Sequence, residues 1–344
     1  GDSILALFGK GVLNTADPGA QFGGLLTNTG NSVAWMTGYL LLTMVIVFGG
    51  VSGGIEKFCK VAMPLLFFML VIVVVRSCTL PGAGPGLKFL FSPDLSAWGS
   101  AKGFFSDSLR QVLLLTFPVV RLIIAYGSYL DKKENLESNA AIITFGDSLV
   151  AVLAGVAIFP AVFAFGLEPS AGPGLLFVSM TTVFSSMGAA GKIFQLLFWL
   201  LVFFAALSSS IGMMEAGISA ILDSRMKAGK SVNRVKVTVI MALVAWCGNF
   251  LTTADGLGTS QNAFFVAFRG LFRQPDVLDV WDCIAEGILM PLTGLIMAIL
   301  LGWVVPGYLD DEISNGGTRK FKSRGFYNFC IKWVGPIFLA MVVY

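Results

Sequence analysis

Residues 203–223 read FFAALSSSIGMMEAGISAILD, and this stretch decides the class of the fold. It is an apolar helix that carries three consecutive serines and one glutamate at membrane depth. Hydroxyls and a carboxylate are costly in hydrocarbon, so they belong on a packed interior or in a binding cavity. Ser208, Ser209, Ser210 and Glu215 are therefore the first places to look for a bound ion or solute.

Working outward, apolar runs of spanning length, about 20 residues each, recur along the chain. Spanning helices are expected at 33–50, 60–79, 104–130, 140–166, 192–223, 234–253, 279–305 and 326–344. Hydrophobic residues make up 56% of the chain and charged ones 12%, which leaves too few polar faces for a soluble domain. A β-barrel would show short alternating segments instead. The chain reads as all-α and polytopic, integral to the membrane. Its partners are then the lipid bilayer and whatever it carries, and no nucleic acid is expected.

The basic residues alternate by loop. Lys57 and Lys60, Lys132 and Lys133, the Arg225–Lys236 cluster and the Arg319–Arg324 cluster occupy every second connection. The intervening loops carry only Lys88, Lys192, Arg269 and Arg273. The positive-inside rule places the richer set in the cytoplasm and the loops at 80–102, 167–191 and 254–278 outside. Two of these external loops are long, apolar and rich in Gly and Pro. They are either surface connections or lids packed on the helices.

There is no histidine, which removes the commonest proton relay and every histidine-based catalytic triad. No phosphate-binding loop appears either, since GVSGG at residues 50–54 lacks the following Lys-Ser/Thr. No enzyme activity is expected. Cys59, Cys78, Cys247, Cys283 and Cys330 show no metal or redox spacing and read as packing residues.

Several separate blocks then converge on one family. GVSGGIEKFCKVAMPLLF (50–68), AYGSYLDKKENL (125–136), LAGVAIFPAVFAFGLEPSAGPGLLFV (153–178), FFAALSSSIGMMEAG (203–217) and AEGILMPLTGLIMAILLGWV (285–304) closely resemble bacterial members of the neurotransmitter:sodium symporter family. The resemblance implies the leucine-transporter fold, two inverted five-helix repeats with ion and solute bound at the midplane between broken helices. Against that plan the chain is a partial one. It is expected to lack helices 1 and 2 and most of helix 3. Residues 1–79 would hold the remainder of the first repeat and 80–103 an external loop. The second repeat, helices 6 to 10, would occupy 104–305, followed by a cytoplasmic loop and helix 11 in 306–344.

The implied function is sodium-coupled symport of a small solute, an amino acid by resemblance, through alternating access. Sodium serves as coupling ion and no cofactor is expected. The implied location is the inner, cytoplasmic membrane of the cell. The FAALSSSIG segment aligns with the motif that binds the second sodium ion, which assigns the Ala205 carbonyl and the Ser208 and Ser209 hydroxyls. The alternative for these serines is a bond back to the preceding turn that merely bends the helix. Asp147 aligns with a ligand of the first sodium ion. Its own charge, and Ala151 in place of a hydroxyl, imply less need for chloride. Met213 and Leu114 fall at positions of the solute pocket. Asp282 matches the outer-gate carboxylate, Asp223 the inner-gate carboxylate, and Tyr129 the tyrosine that helps hold the inner gate. Glu215 has no partner that the sequence identifies.

The sixth helix of the family plan departs from its pattern at the centre. Residues 111–126 read QVLLLTFPVVRLIIAY, with Leu115 where a hydroxyl should bind sodium and Val119 and Arg121 in place of glycines. Codons compatible with Leu113–Arg121, read one base out of phase, give Phe-Phe-Ser-Leu-Ser-Leu-Ser-Cys-Gly, close to the family motif. Two compensating frame changes are the expected origin. On this reading the chain as it stands does not transport, and its rival is a non-transporting truncated or pseudogene membrane protein.

Overall fold

The computed structural model describes residues 18–92, 127, 134–166, 175–314 and 320–343. The expected helix at 104–130, with Leu114, Leu115, Arg121 and Tyr129, lies outside the described residues apart from Gly127. Among the described residues every regular element is helical. They form α1 (Pro18–Thr27), α2 (Thr29–Phe48), α3 (Glu56–Cys78), α4 (Gly84–Phe91), α5 (Leu136–Ala164), α6 (Met180–Ser186), α7 (Ala189–Lys227) and α8 (Arg234–Asp255). Six further helices follow: α9 (Ala263–Phe272), α10 (Val277–Asp282), α11 (Met290–Ile299), α12 (Pro306–Ser314), α13 (Arg324–Phe329) and α14 (Gly335–Val343).

Six segments among the described residues are long and apolar enough to cross a membrane: Thr29–Phe48, Gly53–Cys78, Leu136–Ala164, Ala190–Lys227, Arg234–Asp255 and Val277–Val304. They coincide with six of the expected spans to within a few residues, except that the second begins earlier and α5 and α7 run longer. Caps explain several of the starts. Asn28 accepts from the Asn31 N–H, Asn233 from that of Lys236, and Asp276 from that of Asp279. Each side-chain oxygen satisfies an amide that the first helical turn leaves without an intrahelical partner. Large apolar side chains such as Val45, Phe68, Leu243 and Val244 are exposed, as a lipid-facing surface requires.

The chain forms two compact units, one of residues 1–93 and 147–259, the other of 94–146 and 260–344. These units are defined by contact, whereas the division at 79, 103 and 305 concerns repeat ancestry, so neither tests the other. In the first unit, α3, α5, α6 and α7 meet in a core around Leu70, Val73, Val162, Met180 and Phe198. The turn between α2 and α3 needs its glycines. Gly50 sits at φ +71°, and a Cβ on Gly54 would lie 2.1 Å from the Ile46 carbonyl oxygen. The π-helical turn Val51–Ile55 then leads into α3.

The Gly- and Pro-rich loops, where described, touch the helices. Phe89 of α4 lies 5.1 Å from Phe159 and 5.3 Å from Phe163 of α5, ring centre to ring centre. A Cβ on Gly86 would strike the Phe159 carbonyl at 2.5 Å, so glycine permits this close approach. In the loop after α5, Phe177 stacks on Trp199 of α7 at 5.1 Å. These rings touch the helices with one face, while Phe89 and Phe177 stay 52% and 41% exposed.

In the second unit, α11 packs along α14. The Trp303 indole N–H donates to the Lys332 carbonyl at 3.3 Å, and the Trp303 and Trp333 rings meet edge to face. Glu137, at the start of α5, accepts from the Ser323 hydroxyl and from the Ser323 and Lys322 amides, which docks the turn before α13. Arg269, read from sequence as a loop charge, is buried instead. It donates to the carbonyls of Pro275 and Ser260 at 3.3 and 3.0 Å and so folds the connection around itself. Not every cysteine packs as expected, since Cys78 and Cys247 are exposed.

Candidate functional site

The serine run lies near the middle of α7, a helix of 39 residues. Ser208 donates to the Ala205 carbonyl at 2.8 Å and Ser209 donates to the same oxygen at 3.1 Å. Three oxygens from one turn of one helix thus converge. The cause is helical geometry, since positions i+3 and i+4 return to the face of position i. Ser208 is half-buried and Ser209 exposed.

This arrangement fits both readings of the serines. As drawn, the hydroxyls satisfy themselves on the preceding turn. Yet hydroxyl hydrogens rotate, and a cation placed beside the three oxygens would meet lone pairs from all of them. A hard alkali cation asks for such uncharged and charged oxygens. The structure brings Ala205, Ser208 and Ser209 together.

Asp147, on α5 in the same unit, has an exposed side chain. Met213, one turn beyond the serines, is 58% exposed, so it faces open space rather than the helix core. Asp223 is exposed in the last turns of α7. Asp282 is exposed at the end of α10 and belongs to the second unit. Leu114 and Tyr129 lie outside the described residues.

Two partners escape sequence reasoning. The first belongs to Glu215, which is fully buried. Its carboxylate receives both terminal nitrogens of Arg234, at 2.5 and 3.2 Å, in a two-pronged pair. Arg234 also donates to the Val47 carbonyl at the end of α2, at 3.1 Å. One guanidinium thus joins α2, α7 and α8. The available signal was the Asn233 cap, which makes Arg234 the first residue of α8, on a helix that must return beside α7 after a short connection.

The second partner belongs to Ser210. Its hydroxyl does not turn back to its own helix but meets the Tyr39 hydroxyl of α2 at 2.7 Å. Tyr39 was not singled out by sequence, because a tyrosine in an apolar run gives no sign of its neighbour.

Known proteins share this architecture. Residues 20–344 match the family model described as the sodium:neurotransmitter symporter family. A sodium-dependent transporter of Haemophilus influenzae is 34% identical over 306 residues, covering 88% of this chain and 63% of that protein. The sodium-dependent transporter YhdH of Bacillus subtilis is 32% identical, covering 96% of this chain and 70% of its own length. The sodium-dependent serotonin transporter of Drosophila melanogaster is 26% identical, covering 80% of this chain and 42% of itself. The chain thus spans under two thirds of the Haemophilus relative. The crystal structure of MhsT in complex with L-phenylalanine superposes with a TM-score of 0.79 at 28% identity, covering 95% of this chain and 71% of that one. The fold is therefore that of the leucine transporter, an all-α multi-pass membrane architecture.

Proposed function

Because this chain belongs to the sodium:neurotransmitter symporter family, we propose that it serves sodium-coupled symport of a small solute by alternating access. The observation that carries this reading is the convergence of the Ala205 carbonyl with the Ser208 and Ser209 hydroxyls. Sodium held there loses water and gains three protein oxygens at membrane depth. That exchange is favourable only where the oxygens are already gathered. Asp147 would serve the other sodium ion, with a charge of its own to offset the cation. The lipid bilayer is the medium, with sodium and the solute as partners and no covalent chemistry.

For the solute, the reading is an amino acid. MhsT binds L-phenylalanine in its crystal, and the Drosophila relative is named for serotonin, an amine. Met213 and Leu114 would line the solute pocket, and Asp282, Asp223 and Tyr129 would serve the gates. Met213 is adaptable and exposed, which suits contact with a solute. On this reading the basic connection at 224–233 faces the cytoplasm, and the likeness to bacterial relatives supports the cytoplasmic membrane as the location.

The test is uptake into cells that express a full-length version with the central motif of the sixth family helix restored, with labelled amino acids and either sodium or potassium outside. Saturable uptake that requires sodium supports the reading. Saturable uptake that is equal in potassium overturns the coupling, and absence of amino-acid uptake alongside sodium-dependent uptake of another solute overturns the substrate class.

A further inference from the structure

Tyr39 stands across α7 from a site that nothing in its own sequence context marks. Its hydroxyl is 2.7 Å from that of Ser210. Its ring meets Phe203 edge to face, with ring centres 6.1 Å apart and planes at 78°. Phe203 and Ser210 are seven positions apart, about two helical turns, and so share one face of α7. Between them along the axis lie Ala205, Ser208 and Ser209. One side chain of α2 therefore grips α7 both before and after the oxygen cluster.

The grip sets a rotation. Successive residues of an α-helix turn by about 100°, so Ser210 points roughly 100° away from Ser209 and further still from Ser208. With Ser210 tied to α2, the Ser208–Ser209 face is aimed in one direction only. Ser208 and Ser209 both settle on the Ala205 carbonyl, whereas Ser210 has an inter-helix partner. Tyr39 is itself held, since α2 is tied to α8 by the Trp246 indole N–H, which donates to Thr37 at 2.9 Å. The Thr43 hydroxyl donates to the Tyr39 carbonyl at 3.0 Å, and Thr43 is fully buried.

We infer that Tyr39 is a positioning residue for sodium binding: through Ser210 it fixes the rotation of α7 that keeps the Ala205, Ser208 and Ser209 oxygens aimed at one point. The inference rests on the proposal that these three oxygens bind sodium. Tyr39 touches no ion itself. Its contribution is the removal of a rotational freedom that the helix would otherwise lose at the moment of binding.

The test uses the full-length protein in detergent, with equilibrium binding of radioactive sodium and thermal unfolding measured in potassium chloride. Tyr39→Phe keeps the ring against Phe203 and removes only the hydroxyl. It is expected to raise the half-saturating sodium concentration about threefold, the scale of one inter-helix hydrogen bond in a membrane. Ser210→Ala should do the same, and the double variant should do no more than either alone, because both remove one interaction. Ser210→Thr, which keeps a hydroxyl, should restore the wild-type value. A Tyr39→Phe protein with wild-type half-saturation overturns the inference, whether or not its unfolding temperature falls. Additive effects in the double variant overturn it as well. Failure of the underlying site is distinct: there, wild-type protein binds no sodium, or Ser208→Ala binds it as wild type does.

Discussion

Arg234 and Glu215 form a two-pronged ion pair at the junction of α7 and α8, with the carboxylate wholly shielded and the guanidinium also bonded to the Val47 carbonyl of α2. The pair neutralises a carboxylate that has no access to solvent. Removing Arg234 takes the guanidinium from a fully buried carboxylate, which costs about 3–5 kcal/mol, whereas removing Glu215 costs less because the Arg234 side chain keeps 26% of its surface exposed. Glu215→Ala or Arg234→Ala should therefore cut the yield of folded protein and lower its unfolding temperature. Replacing both residues by apolar ones of similar volume should recover most of the loss. Equal stability of wild type and both single variants would show that the pair contributes nothing.

Ser208→Ala and Ser209→Ala each remove one oxygen from the proposed sodium cluster. Each should raise the half-saturating sodium concentration on the order of tenfold, equivalent to about 1.4 kcal/mol. Folding should change little, because each hydroxyl bonds only within its own helix. Sodium dependence of uptake by a full-length version with the central motif of the sixth family helix restored is the measurement, and an unchanged dependence in both variants leaves the serines with a purely local role.

In a full-length version with the central motif of the sixth family helix restored, Asp147→Ala should abolish sodium-dependent uptake while leaving the protein in the membrane. The side chain is exposed, so its loss opens no cavity in the core. Normal uptake in this variant removes Asp147 from the ion site.

Orientation is tested by labelling. Single cysteines placed in the 224–233 connection should react with a membrane-impermeant thiol reagent only from the cytoplasmic side, and one at Ser170 only from outside. The exposed Cys78 and Cys247 must first be replaced, since they could react themselves. Labelling of the 224–233 connection from outside reverses the topology.

The centre of the sixth family helix offers a fifth test. Leu115→Ser together with Arg121→Gly should raise sodium-dependent uptake, because the first restores a hydroxyl and the second removes a charge costing about 2.5–3.5 kcal/mol at the bilayer centre. No gain from the pair would mean that the pocket is built without that motif. The coding sequence is an independent check, since codons that cannot encode the out-of-phase motif exclude a frame change.

Much of this protein was legible from residues alone because the signals are local. Apolar runs set the spans, which the described helices match at α2, α5, α7 and α8. The convergence of Ser208 and Ser209 on Ala205 follows from spacing within one helix, so it needed no tertiary information. Loop behaviour was half legible: apolar composition left contact with the helices open, but did not say that Phe89 would meet Phe159 or Phe177 meet Trp199. Arg269 was misjudged for a related reason. A basic residue in a loop is solvated by default, and only the path of the surrounding backbone supplies the two carbonyls that receive it.

The amino-acid sequence by itself determined the class of fold, the membrane spans, and the one-turn cluster of oxygens, because each depends on composition or on neighbours within about four residues. Tertiary structure alone decided who meets Glu215 and who meets Ser210. Arg234 lies 19 positions from the first, and Tyr39 lies 171 from the second. Which side chains meet at such separations depends on how each helix is rotated and how far it is shifted along its neighbour. Those two quantities are fixed by the packing of whole helices, and no single run of sequence carries them.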